Sequence, residues 1–306
     1  MNNQDTIAPL STEQLLNRIQ VKKALNRRNF LTSIGAAGAV MAGTGILAGC
    51  GGSSEHSVMA AGPSEADVLN FALNLEYLEA TFYSYVATGS DIPSSSTGGG
   101  PAPTGAPGAQ PVFQTSEIAD LFAEIYFDEL SHVNDLRSLL GTAAVPRPQL
   151  NLAALGTVDT SNYIVFSRFF EDVGVTAYAG AADDLTGSNL QAAAQILAVE
   201  AFHSGAIRLI DIQQSVPYLP SSVVPADNLD VPPLDPGTAQ LAAAGPTAKG
   251  GFFATAGANG VASTLPGLAY KRTPSQVLAI VYANSASGTA KGGFYTNGMN
   301  GNIKTV

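Results

Sequence analysis

The sequence predicts an all-α protein: a four-helix bundle followed by a Pro/Gly-rich C-terminal extension. Four segments of about 25 residues each carry a broad apolar stripe at helical spacing, and turn-forming residues separate them. At a rise of about 1.5 Å per residue, each helix would be roughly 37 Å long. Such matched lengths favour a bundle over a mixed globular fold.

Composition narrows the class of protein. The chain has 306 residues, of which 45% are hydrophobic, and this is enough for a sizeable core in one or two domains. Its 24 acidic residues outnumber its 14 basic ones, so we expect no nucleic-acid partner, because nucleic-acid binding requires a basic surface. The single cysteine excludes an intramolecular disulfide and leaves no Cys-x-x-Cys pair for an electron-relay module.

The N-terminal segment, residues 1–50, resembles an export signal. Arg27 and Arg28 precede a mildly apolar Gly/Ala-rich run that ends at Cys50, as is typical of twin-arginine signals. The residues LAGC also resemble the lipobox of bacterial lipoproteins, whose cysteine is lipidated. We therefore expect the twin-arginine machinery to export the protein to the periplasm or cell envelope, with a lipid anchor to the membrane at Cys50. The alternative is an uncleaved N-terminal anchor in which Cys50 is inert.

The bundle is predicted to span residues 64–214 and to follow a flexible linker at residues 51–63. Ser64 and Asp67 have the spacing of a capping box, in which the serine side chain and the acidic side chain each bond to the other residue's backbone. This motif predicts that the first helix covers about residues 64–88.

Caps and turn-forming residues bound the other helices. Residues 89–111 are too rich in Gly, Pro and Ser for helix or strand, so they predict a long loop. Thr115 or Ser116 would cap the second helix, and Gly141 would end it. The predicted spans of the second, third and fourth helices are residues 115–140, 161–185 and 189–214.

The C-terminal extension, residues 215–306, is rich in Pro, Gly, Ala and Ser. It contains one convincing short helix, in which Thr273 is the cap and Pro274 the first helical residue. An internal repeat, TAKGGFFATAGANG at 247–260 and TAKGGFYTNGMNG at 289–301, flanks this helix. We expect the aromatic residues of both copies to dock on the bundle: Phe252, Phe253, Phe294 and Tyr295.

Two Glu-x-x-His pairs carry the chemistry, Glu129 with His132 and Glu200 with His203. Residues three apart on a helix point to nearly the same side, so each pair can offer one metal a carboxylate oxygen and an imidazole nitrogen. A single pair is weak support, because a core histidine or a surface ion pair has the same spacing. Two such pairs on helices of matched length, in a chain with only three histidines, are stronger.

The first and third helices each place a glutamate seven residues before a tyrosine: Glu76 with Tyr83, and Glu171 with Tyr178. Seven residues are about two helical turns, so each tyrosine is expected on the same face as its glutamate. The tyrosines would bond to metal-ligating carboxylates or serve as plain core aromatics. Glu79 is the alternative ligand on the first helix. Three further residues are candidate partners of the ligands or parts of solvated helix faces: Asp128, Asp135 and Arg208.

Residues 64–214 resemble the ferritin-like di-iron carboxylate superfamily, in which two helices each supply a Glu and the other two each supply a Glu-x-x-His. The C-terminal stretches RTPSQVLAIVYAN and GGFYTNGMNG resemble its exported, desiccation-associated members. The resemblance implies six ligands in three roles: terminal Glu76 and Glu171, bridging Glu129 and Glu200, and one imidazole per metal from His132 and His203. Four carboxylates nearly neutralise two divalent ions. This donor set suits Fe or Mn, and zinc is not excluded.

The resemblance implies redox chemistry on O2 or H2O2 in oxidative or desiccation stress, as an oxidase, a peroxidase or a catalase-like enzyme. A non-catalytic structural or stress-protective module that keeps the metals as a fold staple is the alternative, and the sequence leaves open whether the protein is an enzyme. Iron storage is disfavoured, because a long Pro/Gly loop and a C-terminal extension do not suit a subunit that packs on all sides in a closed cage.

Overall fold

A computed structural model of the chain describes residues 62–214, 271–284 and 286–306. Over these residues it contains no β-strand, and the predicted all-α class is confirmed. None of the helices in these ranges is both long and apolar enough to cross a membrane. The helices are α1 Glu65–Thr88, α2 Ser116–Leu140, α3 Tyr163–Ala181, α4 Gly187–Gln214 and α5 Pro274–Val281.

The predicted export signal lies outside the described residues, and so does its cysteine, Cys50. The same holds for residues 51–61 of the predicted linker and for residues 215–270 of the C-terminal extension. The predicted boundaries of the export signal, the linker and the C-terminal extension therefore stay predictions.

The first four helices form the bundle. α1 packs mainly along α2, and α3 mainly along α4, while α1 also contacts α3 and α2 contacts α4. A short connection that contains the 3-10 turn Ala182–Asp184 joins α3 to α4, so the chain reverses direction there. The four helices that carry the predicted ligands are thus neighbours around one interior.

The predicted helix caps are confirmed. Asp67 donates its backbone N–H to Ser64 Oγ at 3.2 Å, and Ser64 donates its own to Asp67 Oδ2 at 3.1 Å. Thr115 caps α2, and Gly141 ends it with a φ of 55°. Thr273 begins α5 with a capping box.

The third helix is shorter than the prediction of residues 161–185. At its C-terminal end the backbone tightens into the 3-10 turn, and Leu185 is already extended, with φ −120° and ψ 150°. Apolar periodicity continues through Leu185 because this side chain is buried, 4% exposed, although it no longer lies in a helix. The fourth helix begins two residues earlier than predicted, at Gly187.

The two inner helices are buried on nearly all sides, over residues 68–87 of α1 and throughout 163–178 of α3. A helix that is buried all round needs cover beyond its bundle partners. The C-terminal segment supplies part of it, since Arg272 donates its N–H to Thr176 O at 3.0 Å. A Cβ on Gly180 would lie 1.9 Å from Arg272 O, so a glycine is required where this segment crosses α3.

The C-terminal aromatics also cover α1 and α3. Phe294 packs edge-on against Phe170 with ring centroids 5.1 Å apart, and Tyr295 is fully buried. The predicted docking of the second repeat is therefore confirmed, whereas Phe252 and Phe253 of the first repeat lie outside the described residues.

The predicted loop after α1 contains only the short 3-10 turn Ser94–Ser96 between residues 89 and 111. A buried arginine, Arg147, holds it in place. Its guanidinium donates to both carboxylate oxygens of Asp91, at 2.6 and 2.9 Å, and to Pro101 O at 2.8 Å. Such a two-pronged ion pair fixes geometry better than a single contact does.

Candidate metal centre

The six predicted ligands converge in the interior of the bundle. Five of them are 0% exposed and His132 is 6% exposed. Their carboxylate and imidazole atoms form two neighbouring groups, each compact enough to hold one ion. The residues are Glu76 from α1, Glu129 and His132 from α2, Glu171 from α3, and Glu200 and His203 from α4.

The first group surrounds Nδ1 of His132. This atom lies 3.2 Å from Glu76 Oε2, 3.5 Å from Glu129 Oε2 and 3.5 Å from Glu200 Oε1. One ligand atom from each of the four residues lies within 4.8 Å of all the others. Helices α1, α2 and α4 therefore meet at this point.

The second group surrounds Nδ1 of His203. This atom lies 3.0 Å from Glu129 Oε1 and 3.3 Å from Glu171 Oε2. Glu129 thus belongs to both groups and offers a different oxygen to each, which is the arrangement that a bridging ligand requires. Glu200 belongs only to the group around His132, together with Glu76 and Glu129, so the bridging role expected of Glu200 stays a prediction.

An acidic residue orients the second imidazole. Nε2 of His203 lies 3.2 Å from Asp128 Oδ2, so Nδ1 is left to face the carboxylates. A carboxylate behind a histidine in this way fixes the ring and raises its basicity as a metal ligand. The predicted partnership of Asp128 with the site is therefore found in the structure.

The other two candidate partners differ. Arg208 contacts Asp172, with its Nε 2.9 Å from Asp172 Oδ1, and Ser204 donates to the same oxygen at 2.8 Å. Arg208 therefore ties α4 to α3 near the ligands. Burial raises the pKa of Asp135, and the nearby charge of His132 opposes this rise.

The two tyrosines differ in their partners. Tyr178 on α3 donates its hydroxyl to Glu76 Oε1 on α1 at 2.5 Å. Tyr83 on α1 donates its hydroxyl to the backbone oxygen of Ser167 on α3 at 3.5 Å, and its proximity lowers the pKa of Glu171 against the larger effect of burial, which raises it. Bonding of a tyrosine to a ligand carboxylate is therefore confirmed for Tyr178 alone, and that bond joins two helices.

A fifth buried carboxylate, Glu79, lies beside the two groups. It is 3% exposed and does not belong to either of them. A Cβ on Gly174 would lie 2.1 Å from Glu200 Oε2 and 3.3 Å from Glu79 Oε1, so both carboxylates border this glycine of α3. Sequence reasoning missed Gly174, and a glycine inside a strongly helical pattern was the available signal.

The carboxylates have strongly perturbed acidities. Burial raises the pKa of Glu76 to about 7, although the charge of His132 opposes the rise. Burial, together with the charges of neighbouring carboxylates, raises the pKa values of Glu200 and Glu79 well above their usual range. For Glu129 burial acts in the same direction, but the two imidazoles prevail and lower its pKa. So many carboxylates can be ionised together only if cations accompany them.

The ligand atoms that face the centre have only one another as close partners. Among the described residues, neither carboxylate oxygen of Glu129, Glu171 or Glu200 makes a hydrogen bond, and neither does Nδ1 of His203. Four carboxylates share only two imidazoles here, and buried charges that are not fully compensated cost several kcal/mol each. Two divalent ions would satisfy all of these atoms at once, and oxygen with imidazole nitrogen is a donor set that Fe and Mn accept. The residues therefore fit a di-metal centre.

Comparison with known proteins agrees with this geometry. The Ferritin-like domain family matches residues 64–212. The chain is 28% identical over 284 residues to the ferritin-like catalase Nec2 of Nesocodon mauritianus, covering 78% of this chain and 85% of that protein. It is 31% identical over 170 residues to the desiccation-related protein PCC13-62 of Craterostigma plantagineum, covering 48% of this chain and 53% of that protein.

The family match coincides with the four helices that carry the Glu/His cluster, and the similarity to the ferritin-like catalase covers a larger share of the chain than these helices do. Residues 64–212 are therefore a ferritin-like domain and belong to the ferritin-like superfamily, desiccation-associated type.

Proposed function

We propose that the protein is a di-metal enzyme that disproportionates hydrogen peroxide, with two Fe or Mn ions held by the six ligands. The observation that carries this proposal is the pair of ligand groups that share Glu129, because two ions bridged by one carboxylate can act together on one small substrate. The similarity to a protein named a ferritin-like catalase supports the choice of peroxide.

The overall reaction suits this chain. Two molecules of H2O2 give two of water and one of O2: one peroxide takes up two electrons and two protons, and the other releases them. The reaction needs no external electron donor. This suits the chain, because its single cysteine excludes a Cys-x-x-Cys module that would relay electrons from such a donor. When bound, two redox-active ions would supply the capacity to take two electrons from one peroxide and return them to the next.

The residues of the chain have separate tasks in this proposal. Tyr178 holds Glu76 in place, and Asp128 holds the ring of His203. Full burial keeps bulk water from the reacting atoms, which strengthens the electrostatic interactions inside. Glu79, with its pKa raised by burial, can hold a proton at Oε2, an oxygen with no hydrogen bond among the described residues.

The site of action is part of the proposal. The twin-arginine-like N-terminus and the lipobox around Cys50 support export and attachment to the cell envelope. An exported enzyme of this kind would remove peroxide outside the cytoplasm, and export of a folded protein would allow the metals to be loaded beforehand.

The direct test is oxygen evolution by purified protein loaded with Mn(II), and separately with Fe(II), after addition of H2O2. We expect one O2 for every two peroxides consumed. Glu129→Ala removes the carboxylate that both groups share, so its rate should fall at least about 100-fold. Glu124→Ala changes an exposed glutamate of the same helix and should leave the rate unchanged.

A stress-protective module without turnover is the second candidate, favoured by the similarity to a protein named desiccation-related. In that case the metals would act as a staple that joins four helices. The same samples decide between the two: bound metal that raises the melting temperature with no oxygen evolution would contradict the enzyme and support the staple.

A further inference from the structure

Two adjacent residues of the C-terminal segment, Phe294 and Tyr295, contact the two inner helices immediately behind their metal ligands. Phe294, 1% exposed, packs its ring 5.1 Å from that of Phe170, the residue before Glu171 on α3. Tyr295, 0% exposed, donates its hydroxyl to the backbone oxygen of Asn74 at 2.8 Å, two residues before Glu76 on α1. Two neighbours in sequence thus contact the residue before one terminal ligand and the residue two positions before the other.

Asn74 extends the connection on the α1 side. Its side chain is fully buried, donates to Asn300 O at 2.9 Å and accepts from Asn300 N at 3.0 Å. Three hydrogen bonds therefore join one residue of α1 to two residues of the C-terminal segment. A buried polar side chain satisfied in this way fixes the relative position of the two elements.

A glycine turn delivers the aromatic pair. Gly292 and Gly293 have φ values of 139° and 49°, a region that side chains disfavour. Phe294 donates its N–H to Val281 O on α5 at 2.9 Å, and a Cβ on Gly293 would lie 2.5 Å from that same oxygen. The Gly-Gly of the repeat is therefore what lets the pair sit against α5 and the bundle at once.

The hydroxyl of Tyr295 also lies within the electrostatic influence of buried carboxylates of α1, Glu79 and Glu76. Burial, followed by the charge of Glu79 and then those of Tyr282 and Glu76, raises the pKa of the Tyr295 hydroxyl well above its usual range. The hydroxyl thus stays neutral beside the carboxylates. The C-terminal segment closes this side of the bundle, whereas Asp128 on the α2 side is 28% exposed.

We propose that Phe294 and Tyr295 are positioning residues of the metal centre. They hold α1 and α3 at the separation at which Glu76 and Glu171 face the same ligand cluster, and they exclude water behind it. The C-terminal segment therefore determines how firmly the metals are retained, a role that rests on the proposed di-metal function.

The test compares two substitutions that each remove one buried hydroxyl. Tyr295→Phe removes the bond to Asn74 on α1, while Tyr282→Phe removes bonds to Lys304 O and from Met299 N within the C-terminal segment. Both full-length proteins are loaded with Mn(II), and metal loss to excess chelator is followed over time. We expect about 10-fold faster loss from Tyr295→Phe, because residues that support ligands affect affinity by that order. Tyr282→Phe should match the unmodified protein in this rate, even if it melts earlier.

Asn74→Ala gives a second approach from the α1 side. It removes the bonds to Asn300 and should also speed metal loss, so the proposal stays testable if Tyr295→Phe does not fold. Unchanged loss rates in folded Tyr295→Phe or Asn74→Ala, or an equal increase in Tyr282→Phe, would overturn the positioning role alone. An unmodified protein that binds no Mn(II) would overturn the proposed function as well.

Discussion

Space for one carboxylate of the centre depends on a residue without a side chain. Gly174 lies in the middle of α3, where glycine costs about 1 kcal/mol relative to alanine in a helix. A Cβ at this position would lie 2.1 Å from Oε2 of Glu200 and 2.9 Å from its Cδ. The helix thus gives up stability locally, and the Glu200 carboxylate occupies the space.

Gly174→Ala should therefore displace Glu200. We expect a folded protein that is less stable by about 1–3 kcal/mol, because extra volume in a filled core strains it. We expect its Mn(II) affinity to be about 10-fold lower or more, since Glu200 completes the group around His132. Thermal unfolding and metal titration measure the two effects.

Gly205→Ala is the matched control. Gly205 lies in α4 two residues after His203, and a Cβ there would meet no atom within 4 Å. This substitution should leave metal affinity unchanged and stabilise the protein by up to about 1 kcal/mol. Equal metal affinity in both variants would show that Gly174 does not shape the centre.

The two Glu-x-x-His pairs could be predicted from sequence because helical spacing is a local property, whereas the full set of six ligands came from the resemblance to the ferritin-like superfamily. Glu129 with His132, and Glu200 with His203, need only one turn of helix to share a side. Gly174 could not be predicted in the same way. Its importance depends on the distance to Glu200 on a different helix, and no local pattern contains that distance.

Among the helices, α1 and α3 are joined by tyrosine side chains that cross between them. Tyr178 of α3 bonds to Glu76 of α1, and Tyr83 of α1 bonds to the backbone oxygen of Ser167 of α3. Tyr178 therefore supports a ligand that the other inner helix supplies. The metal centre and the contact between these two helices both depend on Tyr178 and Glu76.

Tyr178→Phe removes one of these supports with little change in volume. We expect Mn(II) affinity to fall about 10-fold, because Glu76 loses the donor that orients it. Tyr163→Phe is the control on the same helix: its hydroxyl bonds to Gln114 Oε1 at 2.6 Å, away from the ligands. Both changes should cost about 1 kcal/mol of stability. An equal loss of metal affinity in Tyr163→Phe would mean that the effect is not specific to the site.

Element boundaries could be predicted where a cap marks them and not where packing decides. Ser64, Thr115 and Thr273 each begin a helix as expected, because a side chain that bonds to a backbone N–H acts within four residues. The end of α3 was misjudged because Leu185 is buried without being helical. The tyrosine pairing was likewise beyond sequence, since it depends on how α1 and α3 face each other.

For the molecule as a whole, the buried charge makes stability depend on pH. Burial raises the pKa of Glu76 from 4.5 to about 7 in the folded chain. Folding therefore favours the protonated form of Glu76. The resulting contribution to the free energy of unfolding is complete below about pH 4.5 and is lost as the pH rises through about 7. The raised pKa values of Glu200, His132 and His203 act in the same direction. The lowered pKa of Glu129 has the opposite effect: it reduces stability as the pH falls, and only below the unfolded pKa of 4.5.

We therefore expect the melting temperature of the metal-free protein to fall as the pH rises from about 5 to 8. Metal binding needs ionised carboxylates, so the increase in melting temperature on adding Mn(II) should grow over the same interval. Calorimetry of paired samples measures both trends. A metal-free protein that becomes more stable toward pH 8, or a metal-induced increase that shrinks, would contradict the charge balance described for the centre.

The described part of the C-terminal extension belongs to the core of the molecule. Val277, Leu278 and Tyr295 are buried with the aromatic residues of α1 and α3. This burial agrees with the expectation that the repeat's aromatic residues dock on the bundle, since burial of large apolar side chains is favourable wherever they occur.

The most direct test of the central claim is the number of metal ions bound by the purified chain, measured by mass spectrometry after saturation with Mn(II) or Fe(II) and removal of free metal. We predict two ions per chain in the unmodified protein and fewer than two in Glu129→Ala, because that carboxylate belongs to both groups. A correctly folded chain that retains no ion, or two ions still bound after Glu129→Ala, would contradict it.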